Sequence, residues 1–308
     1  MRRHRAQRNW GARVHEIALL GLDAVVLENA ALRVTVLAGK GTDIVEFLYK
    51  PLDLDFAPLS PGGIRDPRTL SGDAADPAAA FMESYPGGWQ EVLPNGGAPG
   101  GHAGARYGQH GEVALVPWDH AIERDDEDGV TVAFEVALRT VPLRLVKRLS
   151  MDRRTPELRI EETLRNESDV DVELMWGHHI AFGPPFLSDA TRLETTVDAP
   201  ALGAASSIDY LSGLDTYTIR DDRVGLRVSW DARTMPYLWL WQEHGGTRQY
   251  PWWGRLRTVG LEPFSSQPTD GLAAAVRNGT ALRLGPREAR DFDLTVTVLE
   301  GTHAIDHR

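Results

Sequence analysis

One glutamate and two histidines stand at the ends of strand-like runs: Glu262 in GLEPFSSQP, His110 in YGQHGEVALVPW and His179 in ELMWGHHIAFGPP. A carboxylate can withdraw a proton and an imidazole can deliver one near neutral pH. The set therefore suits proton transfer rather than hydride or phosphoryl chemistry. Each residue also has an ordinary reading. Paired histidines at a strand end are often structural, a glutamate at a sheet edge is often solvated, and a His-Gly pair commonly opens a strand. Their interest lies in coincidence.

Side-chain alternation says which way they face. Along DVELMWGHHIAF, Val170, Val172, Leu174 and Trp176 share one parity. Alternation puts His178 on that apolar side and His179 on the polar side, and only a bulge would exchange them. Gly177 leaves room beside His179. In RLRTVGLEP, Val259 and Leu261 face one way while Thr258, Gly260 and Glu262 face the other. In HGEVALVPW, read as a strand from His110, Val113 and Leu115 oppose His110, Glu112 and Ala114.

Candidate binding residues lie nearby. GGWQEVLPNGG offers Trp89, Gln90, Glu91 and Asn95 between glycine-rich turns, which can present an aromatic platform and amide hydrogen bonds or merely close a turn. Trp239 and Trp241 alternate with Leu238 and Leu240, so one pair is core and Trp241 is expected at a cleft. His110, His178, His179 and Glu262 are metal-ligand types, but adjacent strand residues point apart and there is no HxH or HExxH spacing. No metal is expected.

The elements that must position these groups are strands. ALRVTVL, DIVEFLY, VTVAFEVALRT, LRLVKRLSM, ELRIEETLRN, VGLRVSW, PYLWLWQ and FDLTVTVLE alternate with period two between Gly, Pro, Asn and Asp punctuation. DAADPAAAFMESY is the sole helix-like stretch, and residues 51–104 read as a long loop. The expected fold is all-β, antiparallel, a two-sheet sandwich in a single domain over residues 1–308. Residues 1–12 form a basic N-terminal tail, with IALLGL as a first strand rather than a signal peptide. The formal charge of −11 disfavours nucleic acid and anionic membranes as partners. No run reaches the roughly 20 apolar residues of a membrane span. With no cysteine, the cytoplasm is the default location.

The order and spacing of GKGTDIVEFLYK, HGEVALVPW, GHHIAFGPPF and GLEPFSSQPTDG resemble the aldose 1-epimerase (galactose mutarotase-like) superfamily over most of the chain. The resemblance implies a β-supersandwich with a sugar cleft across one sheet. It implies His179 as general acid, Glu262 as general base, and His110 near the ring oxygen. The activity implied is interconversion of α and β anomers of an aldose, without a cofactor, by a monomer or homodimer. The sequence lacks the N-R-I motif of galactose mutarotases and has W-G-H-H-I-A-F-G around the second histidine, so the sugar stays open. A non-catalytic carbohydrate-binding or regulatory protein, or an epimerase of phosphorylated or acidic sugars, would use the same scaffold. An anionic sugar would need cations in the cleft, and Lys40, Arg65, Arg68 and Arg106 lie in candidate loops, Lys40 foremost. Gln90, Asn95 and Trp241 complete the expected substrate contacts.

Overall fold

The computed structural model describes residues 11–70, 78–203 and 205–301, so most of the expected basic tail lies outside the described residues. Period-two alternation yields two stacked antiparallel sheets. The larger has ten strands, with spatial order Arg13–Leu19, Leu22–Glu28, Leu32–Leu37, Asp43–Tyr49, Trp89–Val92, Gly177–Phe182, Arg257–Phe264, Tyr237–His244 and Ser207–Ser212. The short Leu54–Asp55 strand pairs beside Asp43–Tyr49. The smaller sheet has eight strands, in the order Arg192–Thr195, Thr216–Arg220, Val224–Trp230, Ala289–Glu300, Glu157–Asn166, Leu143–Asp152, Gly129–Ala137 and Asp119–Asp125.

The core fills the space between the sheets. Phe47, Trp89, Ile180, Phe182, Leu240 and Leu261 of the larger sheet meet Phe134, Leu145, Ile160, Leu226, Leu294 and Val296 of the smaller. Burying such apolar faces is the main favourable term for a sandwich. The larger sheet's opposite face stays available for a site. Among the described residues, no helix is long and apolar enough to cross a membrane.

Four local expectations are corrected. WQEV is not part of a loop: Trp89–Val92 is a central strand, paired with both Gly177–Phe182 and Asp43–Tyr49. DVELMWGHHIAF is not one strand. Val172–Leu174 leaves to pair with Leu282–Leu284, and the Trp176 N–H is taken by Ser265 Oγ at 2.9 Å before Gly177–Phe182 joins the large sheet. HGEVALVPW is a turn rather than a strand, with φ of 56° at His110 and 77° at Gly111, followed by a 3-10 turn at Val113–Leu115. The Gly111 backbone passes so close to Leu93 that a Cβ would lie 2.1 Å from its carbonyl oxygen, so only glycine fits. Finally, besides Ala79–Ser84 within the expected helical stretch, GLAAAVRNG forms the helix Leu272–Asn278, closed by Gly279 in the left-handed conformation.

Candidate active site

A cavity of about 600 Å³ opens on the larger sheet's face turned away from the core. Its floor is set by register. Gly177 pairs with Phe264 and Ala181 with Gly260, which brings His179 level with Glu262, and Glu262 pairs in turn with Trp239. Same-face alternation along Tyr237–His244 adds Trp241 and Glu243 to the lining. The walls come from outside the sheet: Phe81 and Tyr85 from the Ala79–Ser84 helix and its cap, His110 from its turn, and Trp252 from the loop after Tyr237–His244.

The floor is a close acid–base pair. His179 Nε2 lies 3.5 Å from Glu262 Oε1, both side chains being buried. The His110 ring stands nearly perpendicular to His179 at 5.5 Å between centroids. His110 Nδ1 accepts from the Gly97 N–H at 3.3 Å, and the His110 backbone N–H donates to the Gly97 carbonyl at 3.1 Å. A neutral imidazole whose Nδ1 accepts carries its proton on Nε2, so His110 offers a donor. Rings crowd His179, with Tyr85 and Trp241 each 5.4 Å away and Phe81 at 6.3 Å.

This buried setting favours uncharged forms. Burial pushes Glu262 well above the usual carboxylate range and draws His179 down to about 4. His110 is depressed well below the ordinary imidazole value, by burial first and then by His179. Both shifts act the same way, favouring a neutral Glu262 carboxyl beside a neutral His179 imidazole.

His178 points the other way. It sits between the sheets, its Nε2 3.0 Å from Glu162 Oε2, while Lys147 Nζ lies 3.0 Å from Glu91 Oε2 and Trp176 Nε1 donates to Glu91 Oε1 at 2.7 Å. Glu91, Glu162 and His178 bring ligand-type atoms within 4.8 Å of one another. The Lys147 ammonium already supplies the positive charge there, which makes the cluster an internal ion network rather than a vacant metal centre. Burial raises Glu91 to about 7. In Glu162 the charges of His178 and Lys147 outweigh burial and hold the carboxyl at about 2.

Of the residues expected at the substrate, Trp241 lines the cavity. Lys40, Gln90 and Asn95 do not. Lys40 is buried against Asp43 and donates to the Ala114 carbonyl at 3.1 Å. Gln90 is directly across from His179, but its amide turns to the Gly87 carbonyl at 2.6 Å. Asn95 is a brace: its Nδ2 donates to the Ala98 and Gly108 carbonyls, each at 3.0 Å, and its Oδ1 accepts from the Leu272 N–H at 2.7 Å. Arg65, Arg68 and Arg106 are also absent from the lining. The space beside His179 at Gly177 is filled by the Phe264 ring, 2.4 Å from where a Cβ would sit.

The sequence reading missed Phe81, Tyr85, Trp252 and Glu243 as cavity residues. The aromatic cluster YPWW after the Tyr237–His244 strand was the available signal for one wall. A second depression of about 600 Å³, on the smaller sheet, gathers Glu194, Asp215, Asp293 and Arg227 among threonines and holds no histidine.

The family described as a domain of unknown function, DUF4432, matches residues 20–217. The chain belongs to this family. No curated protein matches it in sequence. Solved structures resemble this DUF4432 chain closely in fold. A candidate aldose 1-epimerase from Klebsiella pneumoniae subsp. pneumoniae superposes with a TM-score of 0.78 at 15% identity, covering 94% of this chain and 84% of the other. A galactose mutarotase-like protein from Clostridium acetobutylicum gives 0.68 at 12% identity, covering 94% and 99%. A candidate aldose 1-epimerase from Escherichia coli K12 gives 0.62 at 12% identity, covering 94% and 100%. The DUF4432 chain has the galactose mutarotase-like fold.

Proposed function

We propose that the cavity is the active site of an aldose 1-epimerase acting on an uncharged aldose. The observation that carries this reading is the pairing of His179 and Glu262, 3.5 Å apart on the floor of an aromatic cavity. Opening a hemiacetal requires a proton to leave the anomeric hydroxyl and another to reach the ring oxygen. Glu262 takes the first and His179 gives the second, with the His110 Nε2–H donating beside the ring oxygen. The exposed aldehyde turns about its C1–C2 bond. Closure then returns both protons, so the enzyme ends as it began and needs no oxidant or reductant.

Burial helps the middle of this cycle. Ring opening converts a Glu262 carboxylate and a His179 imidazolium into two neutral groups, the forms that burial favours. The ion pair at the start arises by transfer of the resident proton from Glu262 to His179. The substrate class follows from charge. The described lining residues include Glu243 and Glu262 but no lysine or arginine, which disfavours phosphorylated and acidic sugars. Trp241 and Trp252 supply apolar faces suited to sugar C–H surfaces.

Saturation-transfer NMR on D-glucose, D-galactose, D-xylose and L-arabinose tests the proposal. Wild-type protein should speed exchange between anomers, and Glu262→Gln should slow it by roughly 100- to 10,000-fold while still binding sugar. Binding with exchange no faster than in buffer would establish a sugar-binding module instead.

A further inference from the structure

We propose that the Tyr85 hydroxyl is a substrate-binding donor, kept without a protein partner so that a sugar oxygen can take it. The inference rests on the aldose-site reading. Tyr85 is 3% exposed and lines the cavity. Its backbone is tied down, since Ser60 Oγ donates to the Tyr85 carbonyl at 2.6 Å. Its ring is wedged between others: it stacks on Phe81 at 5.8 Å and meets His179 edge-on at 5.4 Å, Trp252 at 5.5 Å and Trp241 at 6.5 Å. The direction of the phenol is therefore fixed before any ligand arrives.

The hydroxyl at its end is buried and has no hydrogen-bond partner among the described residues. Among the described residues that line the cavity, one other carries such an atom, His179 at Nδ1. A buried hydroxyl left unpaired destabilises a fold, and native proteins rarely retain one. At the wall of a ligand cavity, the natural partner is one that comes and goes. Burial holds the phenol well above its ordinary value, so it remains protonated and can donate. A fixed neutral donor amid aromatic faces fits one hydroxyl or ring oxygen of a pyranose whose C–H face lies on Trp241.

Tyr85→Phe removes this single oxygen and keeps the ring. Exchange kinetics on D-glucose, D-galactose, D-xylose and L-arabinose should show KM raised roughly 10-fold with kcat little changed, as loss of one ground-state hydrogen bond requires. Thermal unfolding should move upward, because the folded state no longer carries an orphan hydroxyl. A structural role predicts the opposite, a lower Tm with KM unchanged, and that result overturns the inference. So does a higher Tm with KM unchanged, which would mark the hydroxyl as unused. If wild-type protein neither binds nor exchanges any of these sugars, the aldose-site reading fails, and the inference with it. That outcome is recognisable because it appears without any substitution.

Discussion

The Glu262 carboxylate occupies the space that a side chain at Gly260 would need: a Cβ there would lie 2.4 Å from Glu262 Oε1 and 3.2 Å from Trp241 Cε3. Gly260 is paired on both sides, with Ala181 and with Trp241, so its value is local room rather than a turn. Gly260→Ala should push the carboxylate away from His179 while leaving the sheet intact. Since a misplacement of about 1 Å can cost on the order of 100-fold, kcat should fall by about that factor with Tm nearly constant. Unchanged kcat would show that the carboxylate position does not matter.

Acidity should switch the activity off in a defined direction. His179 sits at about 4 because of burial, so above that value the pair carries one proton and can both give and receive. As pH falls through about 4 the pair gains a second proton and loses its base. At the other end, loss of the Glu262 proton at its raised value removes the acid. Anomer exchange should thus fall on the acid side through about 4 and fall again as pH rises through the raised Glu262 value, the limbs belonging to the pair rather than to either residue. An acid limb centred near the ordinary histidine value of about 6.5 would contradict the buried setting.

The ion network between the sheets makes a stability prediction. Lys147→Met leaves Glu91 and Glu162 facing each other with only His178 to compensate, so unfolding in urea should show a loss of about 3–5 kcal/mol. Adding Glu91→Gln should recover much of it, because one of the stranded charges is then gone. Additive losses in the double variant would argue against a coupled network.

Asn95 should behave as a brace. Asn95→Ala removes bonds to Ala98, Gly108 and Leu272 at once and should cost about 2–3 kcal/mol in thermal unfolding. Sugar affinity of the folded variant, followed by NMR titration, should stay close to wild type. A large loss of affinity at unchanged stability would return Asn95 to the substrate.

Strand parity carried most of what the sequence disclosed. The alternation in Gly177–Phe182 and Arg257–Phe264 separates inward from outward residues because a pleated strand has no other periodicity, and the structure has His178 between the sheets and His179 beside Glu262. Parity fails where backbone leaves the pleat. His110 lies in a turn with positive φ, which has no repeating pattern to read. Lys40, Gln90 and Asn95 illustrate another limit: a polar side chain in a glycine-rich segment looks the same in sequence whether it meets a ligand or ties down a carbonyl. Tyr85 and Trp252 went unnoticed because cavity walls are built by segments distant in the chain.

The floor of the cavity also has a history in time. Gly177–Phe182 is flanked by Trp89–Val92 on one side and Arg257–Phe264 on the other, so its neighbours come from far earlier and far later in the chain. During synthesis both imidazoles emerge well before Glu262 exists to face them. Distant strand pairing closes large loops and is slow, so a refolding chain will regain most of its β-structure before the two halves of the proton pair meet. Anomer exchange should therefore be the last property to return after dilution from denaturant, lagging the far-ultraviolet dichroism signal, and it would serve as a clock for completion of the sheet.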